Sequence, residues 1–410
     1  MERRVVITGE SAITPIGNTK ETIMNNLVNG VSGVKPLQHD DFLFTNLKSR
    51  VFGKIDYEID YNFKRKYRKT MGPVAYYACQ LAKQVIEASE LSQDFISSGR
   101  MGVAFGSTHG SPNIQRMVYK KLLVDDDLTF KKIESTSYLQ FMTHTTAANI
   151  AQMFSIIGRV ISSNTACTTS SQSIGFGYEA IKYGLQDAML CGGADEYDTT
   201  TLFVLDNLLA TSVGFNESPE LTPRPFDKKR DGLVVAEGGG ILLLEDYDFA
   251  KNRGANILAE IIGFSCGNNG GNLVNPSLEG IKNTLKTGLD NAKLNPDQVD
   301  YISAHATATY IGDIVESQAI YSLYKDQPYI SGLKSYLGHT IAGCGVIETI
   351  FTLYMMDENV IFPTLHLDEI DEECNILNLV TSLIEKPIHV ASIENFAFGG
   401  VNTSLFIKKI

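Results

Sequence analysis

Three separated segments of this chain carry side chains suited to acyl-transfer chemistry. In Asn164-Thr165-Ala166-Cys167-Thr168-Thr169-Ser170-Ser171, a cysteine stands among small polar residues just ahead of a helical pattern. A helix N-terminus favours a thiolate there, and free backbone amides could receive an oxyanion. Taken alone, Cys167 reads first as a small buried hydrophobe, as cysteine commonly is. In Ser303-Ala304-His305-Ala306-Thr307-Ala308-Thr309, followed by Gly312-Asp313 and Glu316, an imidazole ends an apolar strand and two hydroxyls follow on a loop. In Gly332-Leu333-Lys334-Ser335-Tyr336-Leu337-Gly338-His339-Thr340, the imidazole is expected near the first turn of a long helix, where the dipole favours its neutral form. A fourth segment, Glu394 to Asn402, is a glycine turn with aromatics between two strands. One soft nucleophile and two imidazoles, with no hydrolase-type acid partner at an obvious spacing, suggest thioester chemistry. Histidines satisfied by neighbouring carbonyls are the alternative, since spacing cannot show that the segments meet.

The elements that must position these residues alternate. Apolar runs at 5–8, 101–105, 188–191, 240–244, 257–264, 299–303 and 390–393 read as buried strands. Amphipathic stretches at 74–91, 171–185, 278–294 and 340–356 read as helices between them, which argues for α/β layers. The chain has 410 residues, too many for one ordinary domain, and a charged segment from Lys228 to Arg253 brackets its middle. No internal repeat is demonstrable from spacing. A 43% hydrophobic and 20% charged composition is that of a folded globule and excludes disorder. The formal net charge of -12 argues against nucleic acid as a partner. No run of about 18 apolar residues would span a bilayer, and the opening apolar run is too short for a secretory signal. Six scattered cysteines with no CxxC pair read as reduced thiols in a cytoplasmic protein, with no metal site.

Six motifs, in order, resemble the β-ketoacyl-acyl-carrier-protein synthases, the elongating condensing enzymes, with the closest likeness to the synthase II type. They are Arg4 to Gly9 with Thr14 to Gly17, Thr165-Ala166-Cys167, Arg224-Pro225-Phe226-Asp227 to Gly232 with Glu237-Gly238, His305 to Asp313, Lys334 to His339, and Asn395 to Asn402. The resemblance implies a thiolase-like α/β fold, two similar halves in an αβαβα arrangement. Residues 1–250 would carry the nucleophile and residues 251–410 both histidines. It implies an acyltransferase in which Cys167 takes an acyl chain from a carrier protein. His305 and His339 would then hydrogen-bond the malonyl thioester oxygen while decarboxylation builds the attacking carbanion. By the same likeness, the amides of Cys167 and Phe398 form an oxyanion hole, and Phe398 is an aromatic gate. Lys334 and its paired acid Glu316 organise the histidine loops, and Thr307 and Thr309 hold the pantetheine arm. No metal or organic cofactor is implied. The partners would be acyl and malonyl carrier proteins and a second subunit, as a homodimer or a heterodimer.

Some positions depart from the family pattern. Alanines stand at 306 and 308 where glycine is usual after the histidine, and Glu10 replaces an apolar residue. His109, in a segment resembling the pocket-gating loop, replaces a branched apolar residue and is either a candidate for the acyl pocket or a solvent-facing loop histidine. These departures leave a polyketide or polyene pathway open beside fatty acid synthesis. Carrier proteins are generally acidic, and Lys64 to Lys69 is the densest basic run, a candidate docking site or simply a solvated helix face. Two other functions compete: a non-condensing partner subunit, against which the joint presence of Cys167, His305 and His339 argues, and a thiolase-like acyltransferase.

Overall fold

Ten apolar segments pair into one continuous sheet. They are β1 (Val5–Ile13), β2 (Met101–Gly106), β3 (Val160–Ile161), β4 (Ala188–Asp195), β5 (Gly238–Asp246), β6 (Ala259–Asn268), β7 (Tyr301–Ser303), β8 (Tyr329–Ser331), β9 (Val390–Phe396) and β10 (Val401–Lys408). The structure, a computed structural model, describes residues 2–38, 46–59, 61–123 and 133–410. Across the sheet the order is β8-β7-β9-β10-β6-β1-β5-β4-β2-β3. Outward from the middle, β1-β5-β4-β2-β3 and β6-β10-β9-β7-β8 repeat the same order, offset by five strands. Directions repeat too: β2 runs parallel to β3 and β4, and β5 runs antiparallel to β4 and β1. Likewise β7 is parallel to β8 and β9, and β10 is antiparallel to β9 and β6. The topology therefore shows the duplication that residue spacing hides. The two units join where Val5–Ile7 pairs with Ala259–Ile261.

The strands read as unbroken apolar runs because both faces are covered; β2, β4 and β5 are buried along their whole length. Seven helices are needed here: α1 (Pro73–Ser89), α2 (Thr145–Phe154), α3 (Thr169–Lys182), α4 (Thr199–Asn207), α5 (Leu278–Ala292), α6 (Tyr310–Tyr324) and α7 (Cys344–Glu358). Helices α1 and α2 pack outside the first unit, and α5 and α6 outside the second. Helices α3 and α7 pack on each other and against strands of both units, which makes five layers. Residues Cys344–Met356 of α7 are all buried, as a helix enclosed between the two halves of the sheet requires. Among the described residues, no helix is long and apolar enough to cross a membrane.

Several elements differ from the sequence expectation. Helix α7 starts at Cys344, five residues after His339, because a 3-10 turn, Ile341–Gly343, intervenes. Helix α6 escapes the amphipathic pattern because Asp313, Glu316 and Ser317 are turned inward and buried. The strands β3 and β8 are too short to carry a period. Glu10 finds its role in packing: the Tyr354 hydroxyl on α7 donates to its carboxylate at 2.9 Å and ties β1 to the central layer.

Glu394 on β9 is fully buried, its Oε1 accepting from Ser392 and Ser404 while Oε2 has no partner among the described residues. Burial pushes its carboxyl up to about 8 against the pull of those hydroxyls. A carboxyl raised on folding stabilises most below its unfolded pKa, and that contribution fades as pH rises through the folded value. We expect the melting temperature to fall between pH 5 and 9, with Glu394→Gln flattening the slope. A slope unchanged by Glu394→Gln in calorimetry would contradict this account.

Candidate active site

Cys167 sits in the 3-10 turn Ala166–Thr168 that leads into α3. The turn is sharp: Ala166 has φ 49°, a left-handed conformation an alanine adopts only under constraint. The sulfur faces its own backbone N–H and that of Phe398, which lies before the left-handed glycines Gly399 and Gly400. Burial nonetheless pushes the thiol up to about 11, outweighing the Lys334 ammonium and both amides, with nearby Asp195 adding to the rise. This corrects the expectation of a helix-stabilised thiolate: desolvation dominates, and the resting group is a thiol.

His305 follows β7. Its backbone N–H and that of Ala306 donate to Glu316 on α6 at 2.6 and 2.8 Å. Ala308 N–H donates to Asp313 at 3.1 Å. These contacts hold a strained loop, since Ala306 and Ala308 have φ 42° and 64°. Both alanines thus occupy the backbone region that glycine would enter freely. Asp313 also accepts from Phe226 N–H at 2.8 Å, and Arg230 donates to the Tyr310 carbonyl at 3.0 Å, so the mid-chain motif braces the same loop. The Thr307 and Thr309 hydroxyls meet at 3.0 Å on the cavity wall.

Lys334 lies in the 3-10 turn Leu333–Tyr336 and is 2% exposed. Its ammonium donates to the His305 carbonyl at 2.6 Å and reaches Nδ1 at 3.3 Å. The carboxylate in contact with it is Glu348 on α7, not Glu316. The expected Lys334–Glu316 pairing is therefore corrected: Glu316 is occupied with backbone amides. Burial opposes the Lys334 charge, but Glu348 holds its pKa above the usual lysine value. Asn395 donates to Glu348 Oε2 at 2.7 Å and accepts from Ser171 of α3 at 2.5 Å. Gly345 allows that approach, since a Cβ there would lie 2.0 Å from Ser171 Oγ.

The structure brings Cys167 Sγ and ring nitrogens of His305 and His339 within 4.8 Å of one another, with the imidazoles crossing at 85°. Both rings are held well below the ordinary histidine pKa, by burial first and then by the Lys334 charge. Their tautomers follow from donors that can only donate: Lys334 on Nδ1 of His305, and Ile341 N–H on Nδ1 of His339 at 3.3 Å. Each ring is therefore protonated at Nε2, and Nε2 of His339 is buried without a partner among the described residues. A zinc ligand shows the reverse, an unprotonated nitrogen on the metal and an N–H given to an acceptor.

The cavity beside them is about 510 Å³, and its wall is mostly apolar, including Val204 and Leu205 of α4, Leu208, Ile281 and Phe396. Phe398 and His109 also line it, and Glu316 contributes to its lining. His109 is exposed; the preceding Thr108 anchors the loop by donating twice to Asp195, at 2.8 and 2.6 Å. Sequence reasoning gave no role in the site to Asp195 or Cys344, took Asn395 only as part of a motif, and counted Glu348 only as part of a helix. The available signal was the lone acidic residue within the apolar stretch 344–356. Lys64 to Lys69 forms the short helix Arg65–Arg68 and its flanks, with Lys64, Arg65, Lys66, Arg68 and Lys69 exposed.

The buried thiol makes a checkable prediction. Alkylation of Cys167 by iodoacetamide in the free protein should keep accelerating up to about pH 11. A plateau below pH 8, read by mass spectrometry of the Cys167 peptide, would show a resting thiolate.

Comparison with known proteins matches the beta-ketoacyl synthase N-terminal domain over residues 2–250 and its C-terminal domain over residues 258–368. The 3-oxoacyl-[acyl-carrier-protein] synthase 1 of Haemophilus influenzae is 34% identical over 99% of both chains, and a synthase 2 of Vibrio harveyi is 31% identical over 100% and 99%. Among solved structures, a beta-ketoacyl synthase from Burkholderia phymatum superimposes with a TM-score of 0.95, at 38% identity over the whole of both chains. A site of one thiol and two neutral imidazoles between duplicated units, and the agreement of both domain models, place this chain in the beta-ketoacyl synthase family.

Proposed function

We propose that the protein is a β-ketoacyl-acyl-carrier-protein synthase, extending an acyl chain by two carbons through decarboxylative condensation. The observation that carries the reading is the convergence of Cys167 Sγ, two Nε2–H groups and two backbone N–H groups on one apolar cavity. In the first half-reaction the Cys167 sulfur attacks the thioester carbonyl of an acyl carrier protein. The oxyanion lies against the amides of Cys167 and Phe398, and the carrier thiol leaves with the proton that Cys167 gives up. In the second, the malonyl carboxylate departs as carbon dioxide, and its electron pair forms an enolate whose oxygen accepts from His305 and His339. The carbanion attacks the acyl-Cys167 carbonyl; the tetrahedral centre collapses, and the expelled thiolate takes up a proton. Thr307 and Thr309 line the path of the pantetheine arm. Lys334 acts through His305 and Glu316 through the loop. The donor arrangement on both imidazoles suits this metal-free course.

A mostly apolar cavity fits an acyl chain, and the exposed His109 sets a polar group on the wall of the same cavity that Cys167 lines. The exposed Lys66 and Arg68 fit an acidic carrier protein. One of the solved relatives, 27% identical with a TM-score of 0.90, is described as a type II polyketide acyl-carrier protein in complex with its ketosynthase.

Intact-mass analysis with a panel of acyl carrier proteins, then malonyl carrier protein, tests the reading. We expect an acyl adduct absent from Cys167→Ala and discharged two carbons longer. His305→Ala or His339→Ala should keep loading and lose condensation by roughly 10²–10³-fold, the worth of one transition-state donor. An adduct that never elongates would leave an acyltransferase or a partner-dependent subunit, and His109→Ile should change the chain-length profile. Docking is tested separately: Lys66→Glu with Arg68→Glu should raise KM for the carrier protein and weaken its salt dependence. An unchanged KM at low salt would place docking elsewhere.

A further inference from the structure

Beneath the nucleophile lies a second thiol that the proposed chemistry does not use. Cys344 opens α7 and is buried, and its sulfur donates to the backbone carbonyl of Cys167 at 3.1 Å. Asn395 Nδ2 lies 3.7 Å from the same sulfur. Asn395 is otherwise committed to Glu348 and Ser171, and Glu348 to Lys334, whose ammonium grips His305. One unbroken path of contacts thus runs from the His305 ring to the peptide of Cys167.

The last contact bears on the reacting sulfur in two ways. A bare carbonyl next to Cys167 would set partial negative charge in a dry site where a thiolate must form and later depart, and a donor on that oxygen draws the charge away. The same contact fixes the peptide that follows Cys167 while the residue before it, Ala166, is held in a left-handed turn with no glycine to relax it. Val346 N–H donates to Ser170 at 3.1 Å, so the starts of α3 and α7 are stitched together on both sides of this sulfur.

We infer that Cys344 is a positioning residue: its thiol, backed by Asn395, caps the Cys167 carbonyl and couples the nucleophile's turn to the lysine that orients His305. The inference deepens the proposed function and rests on Cys167 being the nucleophile. It is tested with Cys344→Ala and Cys344→Ser in two assays: iodoacetamide alkylation of Cys167 between about pH 7 and 9, and single-turnover acylation from acyl carrier protein. Cys344→Ala should slow both by about fivefold, which is one net hydrogen bond of about 1 kcal/mol. KM for the carrier protein should stay unchanged. Cys344→Ser, whose hydroxyl can donate to the same oxygen, should recover most of the loss. Equal rates in the wild type and Cys344→Ala, or a loss that serine does not restore, would overturn the role. Absence of acyl loading in the wild type would overturn the function reading instead, and the alkylation rates would still decide the role of Cys344.

Discussion

The contact of the buried Lys334 ammonium with Glu348, in the dry layer between the two halves of the sheet, is the constraint on which the site depends. Taking Lys334 and Glu348 out of water costs several kcal/mol per ion, and their attraction offsets this only if the remaining hydrogen-bonding capacity is used. It is used on the site itself: Lys334 spends its other protons on the His305 carbonyl and ring, and Glu348 spends its second oxygen on Asn395. The pair therefore cannot relax without moving His305 on one side and the start of α3 on the other. Losing one partner would strand a buried charge at about 3–5 kcal/mol, so the arrangement is held by the penalty for breaking it.

Backbone strain is gathered at the same place. Ala166, Phe226, Ala306, Ala308 and Ile341 all have φ between 42° and 64°, and all lie in or against the loops that carry Cys167, His305 and His339. Each costs on the order of 1–2 kcal/mol for a residue with a Cβ. Two buried carboxyl groups hold much of that strain. Burial raises Glu316 to about 8 and Asp313 to about 6, yet each spends its oxygens on backbone N–H groups of the strained segments. Glycine at 306 and 308 would remove the strain; alanine instead narrows the conformations open to the loop once Glu316 and Asp313 have fixed it.

The strands that could be read in the sequence were those buried on both faces, such as β2, β4 and β5, because long apolar runs need no partner to be recognised. What the sequence concealed follows from pairing and from inward-turned polar groups. Residues 310–324 carry Asp313 and Glu316 on the core side, so the usual periodicity fails where the helix does most for the site. Strand β3 has two residues, and the duplication resides in strand order and direction, neither of which has a sequence period. The segments bearing Cys167, His305 and His339 were legible because their residue types are unusual for strand ends. Their support was not, and the choice of Glu348 over Glu316 as the partner of Lys334 turns on which carboxylate the α7 layer brings within reach. Resemblance aligns residues, but it does not decide a contact made across two loops.

The protonation states explain why one site can serve two unlike half-reactions. With its thiol raised to about 11, Cys167 is ionised to only about one part in 10⁴ at neutral pH, so on the proposed course the sulfur must lose its proton as it attacks. The neighbouring imidazoles are too weakly basic to retain that proton, because burial and the Lys334 charge hold both well below the usual histidine value. The proton therefore goes on to the departing carrier thiolate. The same weakness serves the condensation. On the proposed course, two neutral Nε2–H donors would lower the energy of the enolate oxygen without supplying an acid strong enough to quench the carbanion, which a charged imidazolium would do. Lys334 thus contributes by remaining an ammonium: after burial, its charge is the next cause that holds His305 and His339 neutral, and neutral rings can donate a hydrogen bond without giving up the proton.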